Sequence, residues 1–101
     1  MAPLIQNNIE PIQRILKKHN VKRAFVFGSV CTQNFNDKSD VDIIVAFQKR
    51  YFDNYMDNYL SLESELSTLL QREVDIVAEE TIQNPYFVQS INQTKTPIYE
   101  S

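Results

Sequence analysis

Three aspartates and one glycine-serine pair carry the chemistry this sequence can support. Asp40 and Asp42 stand as D-V-D at the head of the apolar run D-V-D-I-I-V-A-F, and Asp75 stands alone in E-V-D-I-V-A. Side chains alternate between faces along a strand. Asp40 and Asp42 are therefore expected on one face, with Val41, Ile43, Val45 and Phe47 on the other. Adjacent carboxylates repel each other unless a cation or a shared proton joins them. Asp75 repeats the pattern, with Val74 and Ile76 turned the opposite way. If the two runs are neighbouring strands, three carboxylates converge into a hard-oxygen site suited to Mg²⁺ or Mn²⁺. With two ions roughly 3.5–4 Å apart, such a site clamps the attacking and leaving oxygens of an in-line phosphoryl displacement. Taken singly, each aspartate reads as well as a turn residue, a solvated strand position or a charge guarding a sheet edge. The set of three in apolar surroundings favours the metal.

Gly28 is the only glycine in 101 residues, so it is expected where the backbone needs it. Gly28-Ser29 follows an apolar run and precedes an expected helix start, where backbone N–H groups and a hydroxyl can hold a phosphate. A Gly-Ser pair alone is most often a plain turn. Its position ahead of the aspartate pair gives it weight.

The elements that must position these groups follow from periodicity. Leu4, Ile5, Ile9, Ile12, Ile15 and Leu16 recur at helical spacing from Pro3 to about Asn20, with Pro11 expected to kink or split the helix. Lys17, Lys18 and His19 suit its C-terminal turn. Val21–Phe27 reads as a mostly buried strand. Ser29 is expected to cap a short helix over 30–35, and 34–39 reads as a polar turn. Asp40–Phe47 is the second strand. After a polar connection at 49–51, residues 53–71 predict a helix with Tyr55, Met56, Tyr59, Leu62, Leu66, Leu69 and Leu70 on one face. Glu73–Ala78 is the third strand. Asn84-Pro85 caps and opens a helix to about Gln93, and Thr96–Tyr99 is an edge strand, since Pro97 excludes a central place. The order predicts an α/β or α+β sandwich: one mixed sheet of about four strands with helices packed on it.

Composition narrows the partners. The length suits one domain over 1–101, and 43% hydrophobic residues suffice for a core. A net charge of -3 does not provide the broad basic face that nucleic acid requires. The lone Cys31 fits a reducing compartment. With no signal peptide or apolar span in these residues, the expected location is cytoplasmic and no membrane contact is expected. His19 reads as a helix cap, Cys31 as packed, and Glu79-Glu80 as a solvated turn. Lys17-Lys18 with Lys22-Arg23 reads as a solvated basic cluster.

The spaced motif Phe27-Gly28-Ser29, ten residues, Asp40-Val41-Asp42, followed by Asp75 on a later strand, resembles the minimal nucleotidyltransferases, small relatives of the DNA polymerase β superfamily. Ser39, just before the pair, also fits. The resemblance implies the nucleotidyltransferase fold, with ATP as substrate. Gly28 and Ser29, joined by Ser39 and Lys38, would hold the nucleotide. Asp40, Asp42 and Asp75 would hold two Mg²⁺ ions and carry catalysis, moving a nucleoside monophosphate onto a hydroxyl and releasing pyrophosphate. It also implies a helical HEPN-type partner whose tyrosine receives AMP, the chain acting as antitoxin. Where many members read x-Ala-Arg-Gly after Gly-Ser, this chain has Val30, Cys31, Thr32 and Gln33. The lost arginine removes a fixed cation near the phosphates, for which Lys38, Lys22 or Arg23 are the candidate substitutes. It also motivates an alternative, a catalytically weakened nucleotide- or partner-binding module of the same fold. A transferase acting on small aminoglycoside-like molecules would need a second, substrate-binding domain. Homo-oligomerisation stays open.

Overall fold

The computed structural model describes residues 2–32, 35–36, 38–48 and 55–101. Strands β1 (Val21–Phe27), β2 (Val41–Phe47), β3 (Val74–Ala78) and β4 (Thr96–Glu100) form one mixed sheet in the order β3-β2-β1-β4. β1 is antiparallel to both β2 and β4, whereas β2 and β3 run parallel. A parallel pair needs a crossover, supplied here by helix α3 (Tyr55–Leu70). The polar connection expected at 49–51 and the first turn expected at 53–54 lie outside the described residues.

One sheet face carries the main core. Val26, Val41, Ile43, Val45, Val74 and Ile76 pack there against Ile5, Ile12, Leu16, Leu62 and Leu66, which come from α3 and from helices α1 (Pro3–Gln6) and α2 (Ile9–Lys18). The expected break in the first helix exists, but Pro11 does not cause it. Pro11 lies in the first turn of α2, where its missing N–H is no loss. The break falls at Asn7–Asn8, because Asn8 Nδ2 donates to the Leu4 carbonyl at 2.7 Å and takes the acceptor a continuous helix would use. His19 caps α2 as expected, and it is buried, its ring nitrogens 2.8 Å from the Ile15 carbonyl and 2.8 Å from Glu65 Oε2.

Along α3 the buried stripe is Leu62, Leu66 and Leu70, with Tyr59 and Leu69 at its edge. Met56 departs from expectation: it is 61% exposed. At the helix start the inward position goes to Tyr55, whose ring meets Phe47 edge-on at 5.4 Å.

The second sheet face is covered in part by helix α4 (Pro85–Thr94), through Ile91 against Phe27 and Ile44. The Asn84 side chain accepts from the backbone N–H of Tyr86 at 2.9 Å and Phe87 at 3.4 Å. Replacing Asn84 with Ala is expected to cost about 1 kcal/mol in urea unfolding. Asn84→Asp should retain most of that stability; equal losses would deny the cap its role. β4 lies at the sheet edge with Pro97 opposite Phe25, as its proline requires.

Candidate active site

The site lies on the α4 face of the sheet. In the parallel register Asp42 stands directly beside Asp75, and in the antiparallel register it faces Phe27. Side chains paired this way share a face, so the two carboxylates are neighbours next to the turn that ends β1. Gly28 begins that turn with φ +77°, a conformation that glycine alone adopts without penalty. A Cβ on Gly28 would stand 3.1 Å from Asp42 Oδ2. The backbone conformation therefore calls for glycine, and a Cβ there would make the Asp42 carboxylate give by a few tenths of an ångström.

Burial, then the charge of Asp75, then that of Asp40, push the Asp42 carboxyl above the ordinary aspartate value, and a hydrogen bond with Asp75 adds to the shift. None of the three aspartates has an ion-pair partner among the described residues.

Asp40 differs from expectation. β2 starts at Val41, whose N–H donates to the Glu73 carbonyl at 3.0 Å, and Asp40 lies exposed one residue before the strand. Strand alternation therefore does not fix its side chain beside Asp42. Among the described residues no three His, Cys, Asp or Glu groups already stand in ligating arrangement. The built part of the site is the Asp42–Asp75 pair, with Asp40 close enough for its charge to act on Asp42.

The Gly-Ser turn also differs. Gly28–Cys31 is a single 3₁₀ turn, not the start of a helix, and Ser29 lies within it rather than capping it. The Gly28 N–H already donates to Thr94 Oγ1 at 3.0 Å, a contact nothing in the sequence signals. Thr32, at the position of the missing arginine, donates its hydroxyl to the Ser29 carbonyl at 3.0 Å. Gln33, like Asn34 and Asp37 of the expected 34–39 turn, lies outside the described residues.

Ser39 and Lys38 belong to the loop before Asp40. Ser39 Oγ accepts from the Asn36 N–H at 3.1 Å, the Ser39 N–H donates to the Asn36 carbonyl at 3.0 Å, and the Lys38 N–H donates to Asn36 Oδ1 at 2.8 Å. Arg23 does not replace the arginine. Arg23 pairs with Ala46 in the sheet, roughly 13 Å along the strand from Phe27 at about 3.3 Å per residue. Its guanidinium is bound to Glu79 Oε2 at 2.7 Å, so that half of the expected Glu79-Glu80 turn is ion-paired rather than simply solvated. Arg72, which sequence reasoning passed over, donates from Nη1 to the carbonyls of Asn36 and Ser39, each at 2.9 Å. The one cue was its place at the mouth of the strand that carries Asp75.

A glycine turn against an aspartate pair on adjacent parallel strands defines a nucleotidyl-transfer fold. The chain belongs to the Polymerase beta, Nucleotidyltransferase family, whose profile matches residues 10–101. A Methanocaldococcus jannaschii protein provisionally named a protein adenylyltransferase is 37% identical over 90 residues, covering 88% of this chain and 89% of its own. A solved structure provisionally assigned as a minimal nucleotidyltransferase superposes with a TM-score of 0.74 at 27% identity, over 92% of this chain and 91% of that one. The fold is also that of a Shewanella oneidensis complex between a tri-AMPylated HEPN toxin and an MNT antitoxin (TM-score 0.67, 18% identity, 95% of this chain and 72% of that one). The mixed four-stranded sheet with its helices is the fold expected from the sequence. No described helix is long and apolar enough to cross a membrane.

Proposed function

We propose that the chain transfers AMP from ATP to a hydroxyl on a partner protein, with Mg²⁺ bound at Asp42, Asp75 and Asp40. The observation that carries this reading is the parallel register that sets Asp42 beside Asp75 against Gly28. Two carboxylates without a countercharge are a poor resting arrangement and a good magnesium seat. Mg²⁺ is commonly held by one or two carboxylates, with substrate phosphates completing its shell, so the donor set fits the ion. When bound, the metal neutralises charge that builds on the phosphate oxygens. In this reading Ser29, whose hydroxyl has no partner among the described residues, donates to a terminal phosphate. Gly28 lets the phosphates approach the backbone. The acceptor oxygen bonds to the α-phosphorus as the bond to the bridging oxygen breaks. Pyrophosphate leaves with that electron pair, and the acceptor proton departs through the Asp75 carboxylate to solvent. Catalysis rests on positioning and charge.

The protein acceptor is supported by the adenylyltransferase name of the archaeal relative and by the AMPylated toxin in the structural neighbour. It agrees with a net charge of -3, which disfavours nucleic acid. In this reading the partner is a HEPN-type helical protein, and its tyrosine is the hydroxyl modified. The test mixes the chain with a HEPN-type helical protein, expected to be encoded beside it, Mg²⁺, and ATP labelled on the α-phosphate. Label on the partner, and a mass gain of AMP on a tyrosine, are expected. Label confined to RNA or to an added small molecule would overturn the acceptor. Tight binding without label would favour the alternative, a weakened binding module, which the missing arginine at Thr32 motivates.

A further inference from the structure

We infer that Arg72 is a positioning residue for the active site, holding the loop that carries Ser39 and Asp40 against the Asp42–Asp75 pair; the inference rests on the nucleotidyl-transfer reading above. α3 ends at Leu70, Gln71 turns the chain with φ +54°, and Arg72 follows directly before β3. Its backbone is fixed from α3: Ser67 Oγ donates to the Arg72 carbonyl at 2.6 Å. Its side chain then reaches across to the other loop. One guanidinium nitrogen serves the carbonyls of Asn36 and Ser39, each at 2.9 Å, while the cation lies 4.6 Å from the centroid of the Phe35 ring. Hydrogen bonds from a charged donor are roughly twice as strong as neutral ones, and a cation over an aromatic face adds to them.

These contacts act where β2 provides no control. Asp40 precedes the strand, so sheet pairing positions Asp42 and Asp75 but leaves Asp40 to the loop. The Ser39 carbonyl held by Arg72 belongs to the peptide that joins Ser39 to Asp40. The next ordered bond is Val41 N–H to the carbonyl of Glu73, the residue after Arg72. Arg72 and Glu73 thus grip the chain on both sides of Asp40. Methionine cannot replace this grip, and lysine keeps the charge but not the rigid fork of donors.

The test titrates Mn²⁺ in the presence of ATP into the wild-type chain, Arg72→Met, Arg72→Lys and Asp42→Asn, reading free Mn²⁺ by electron paramagnetic resonance. Amide exchange is followed at Ser39 and across β1. Arg72→Met should bind about tenfold more weakly, in the range found when groups that orient metal ligands are removed, and Arg72→Lys should recover part of the loss. Ser39 exchange should accelerate while β1 keeps its protection. Wild-type affinity in Arg72→Met would overturn the inference, as would a loss matched by equal deprotection of β1, since that is general destabilisation. If the wild-type chain binds no more Mn²⁺ than Asp42→Asn, the site reading itself fails and takes this inference with it. If wild type binds and Arg72→Met binds equally, only the role of Arg72 fails.

Discussion

Asp42→Asn is expected to lower AMP transfer by about 10³-fold, the scale of removing a group that stabilises transition-state charge, while the metal-free protein becomes more stable. The two effects share a cause. Asp42 is half-buried beside Asp75, and its carboxyl is pushed above the ordinary aspartate value by burial and by that neighbour. Because its folded pKa is raised, Asp42 contributes stability that is full below the unfolded value and is lost as pH rises through the folded one. At neutral pH the ionised group therefore weighs against the fold, and the uncharged asparagine does not. Melting curves in EDTA should place Asp42→Asn above wild type at pH 7, with the gap closing as pH falls into the carboxylate range. Wild-type transfer by this variant, measured with α-labelled ATP, would mean that the metal is held elsewhere.

Gly28→Val should damage both stability and transfer. The left-handed backbone at Gly28 costs a side-chain-bearing residue about 1–2 kcal/mol, and a β-branched residue tolerates it worst. The new Cβ would also stand 3.1 Å from Asp42 Oδ2, so that the carboxylate or the turn must shift. A misplacement of about 1 Å at such a centre costs about 10²-fold in rate, so the few tenths of an ångström that the Cβ demands of the carboxylate set a smaller loss, on the order of tenfold. Circular dichroism melts and transfer assays should fall together. A variant with normal activity would show that Asp42 can move without penalty, and the close approach of Gly28 would lose its functional meaning.

β2 and β3 were legible because both obey one rule. D-V-D-I-I-V-A-F and E-V-D-I-V-A alternate one aspartate face against an aliphatic face, and Val41, Ile43, Val74 and Ile76 are buried as that alternation requires. Asn84-Pro85 was legible because capping is local chemistry. What escaped depends on contacts between distant segments. Ser29 and Asn84 look alike as caps, yet only Asn84 precedes a helix long enough to need one. Met56 satisfies helical spacing, but Tyr55 takes the place against Phe47. Asp40 and Asp42 look equivalent in sequence, and the point where pairing with β3 begins separates them. Arg72 has the profile of any solvated surface cation until its two carbonyl acceptors, far upstream in the chain, are known.

The parallel register of β2 and β3 also has a kinetic meaning. An antiparallel hairpin can form from its own turn, but two parallel strands meet only after the crossover between them has folded. Asp42 and Asp75 are separated by the whole of α3, so their encounter carries the loop-closure cost of that intervening chain. No local fragment and no early hairpin contains the pair. Under the proposed function, ion uptake is therefore expected as a late signal during refolding, one that reports the native topology rather than the appearance of secondary structure.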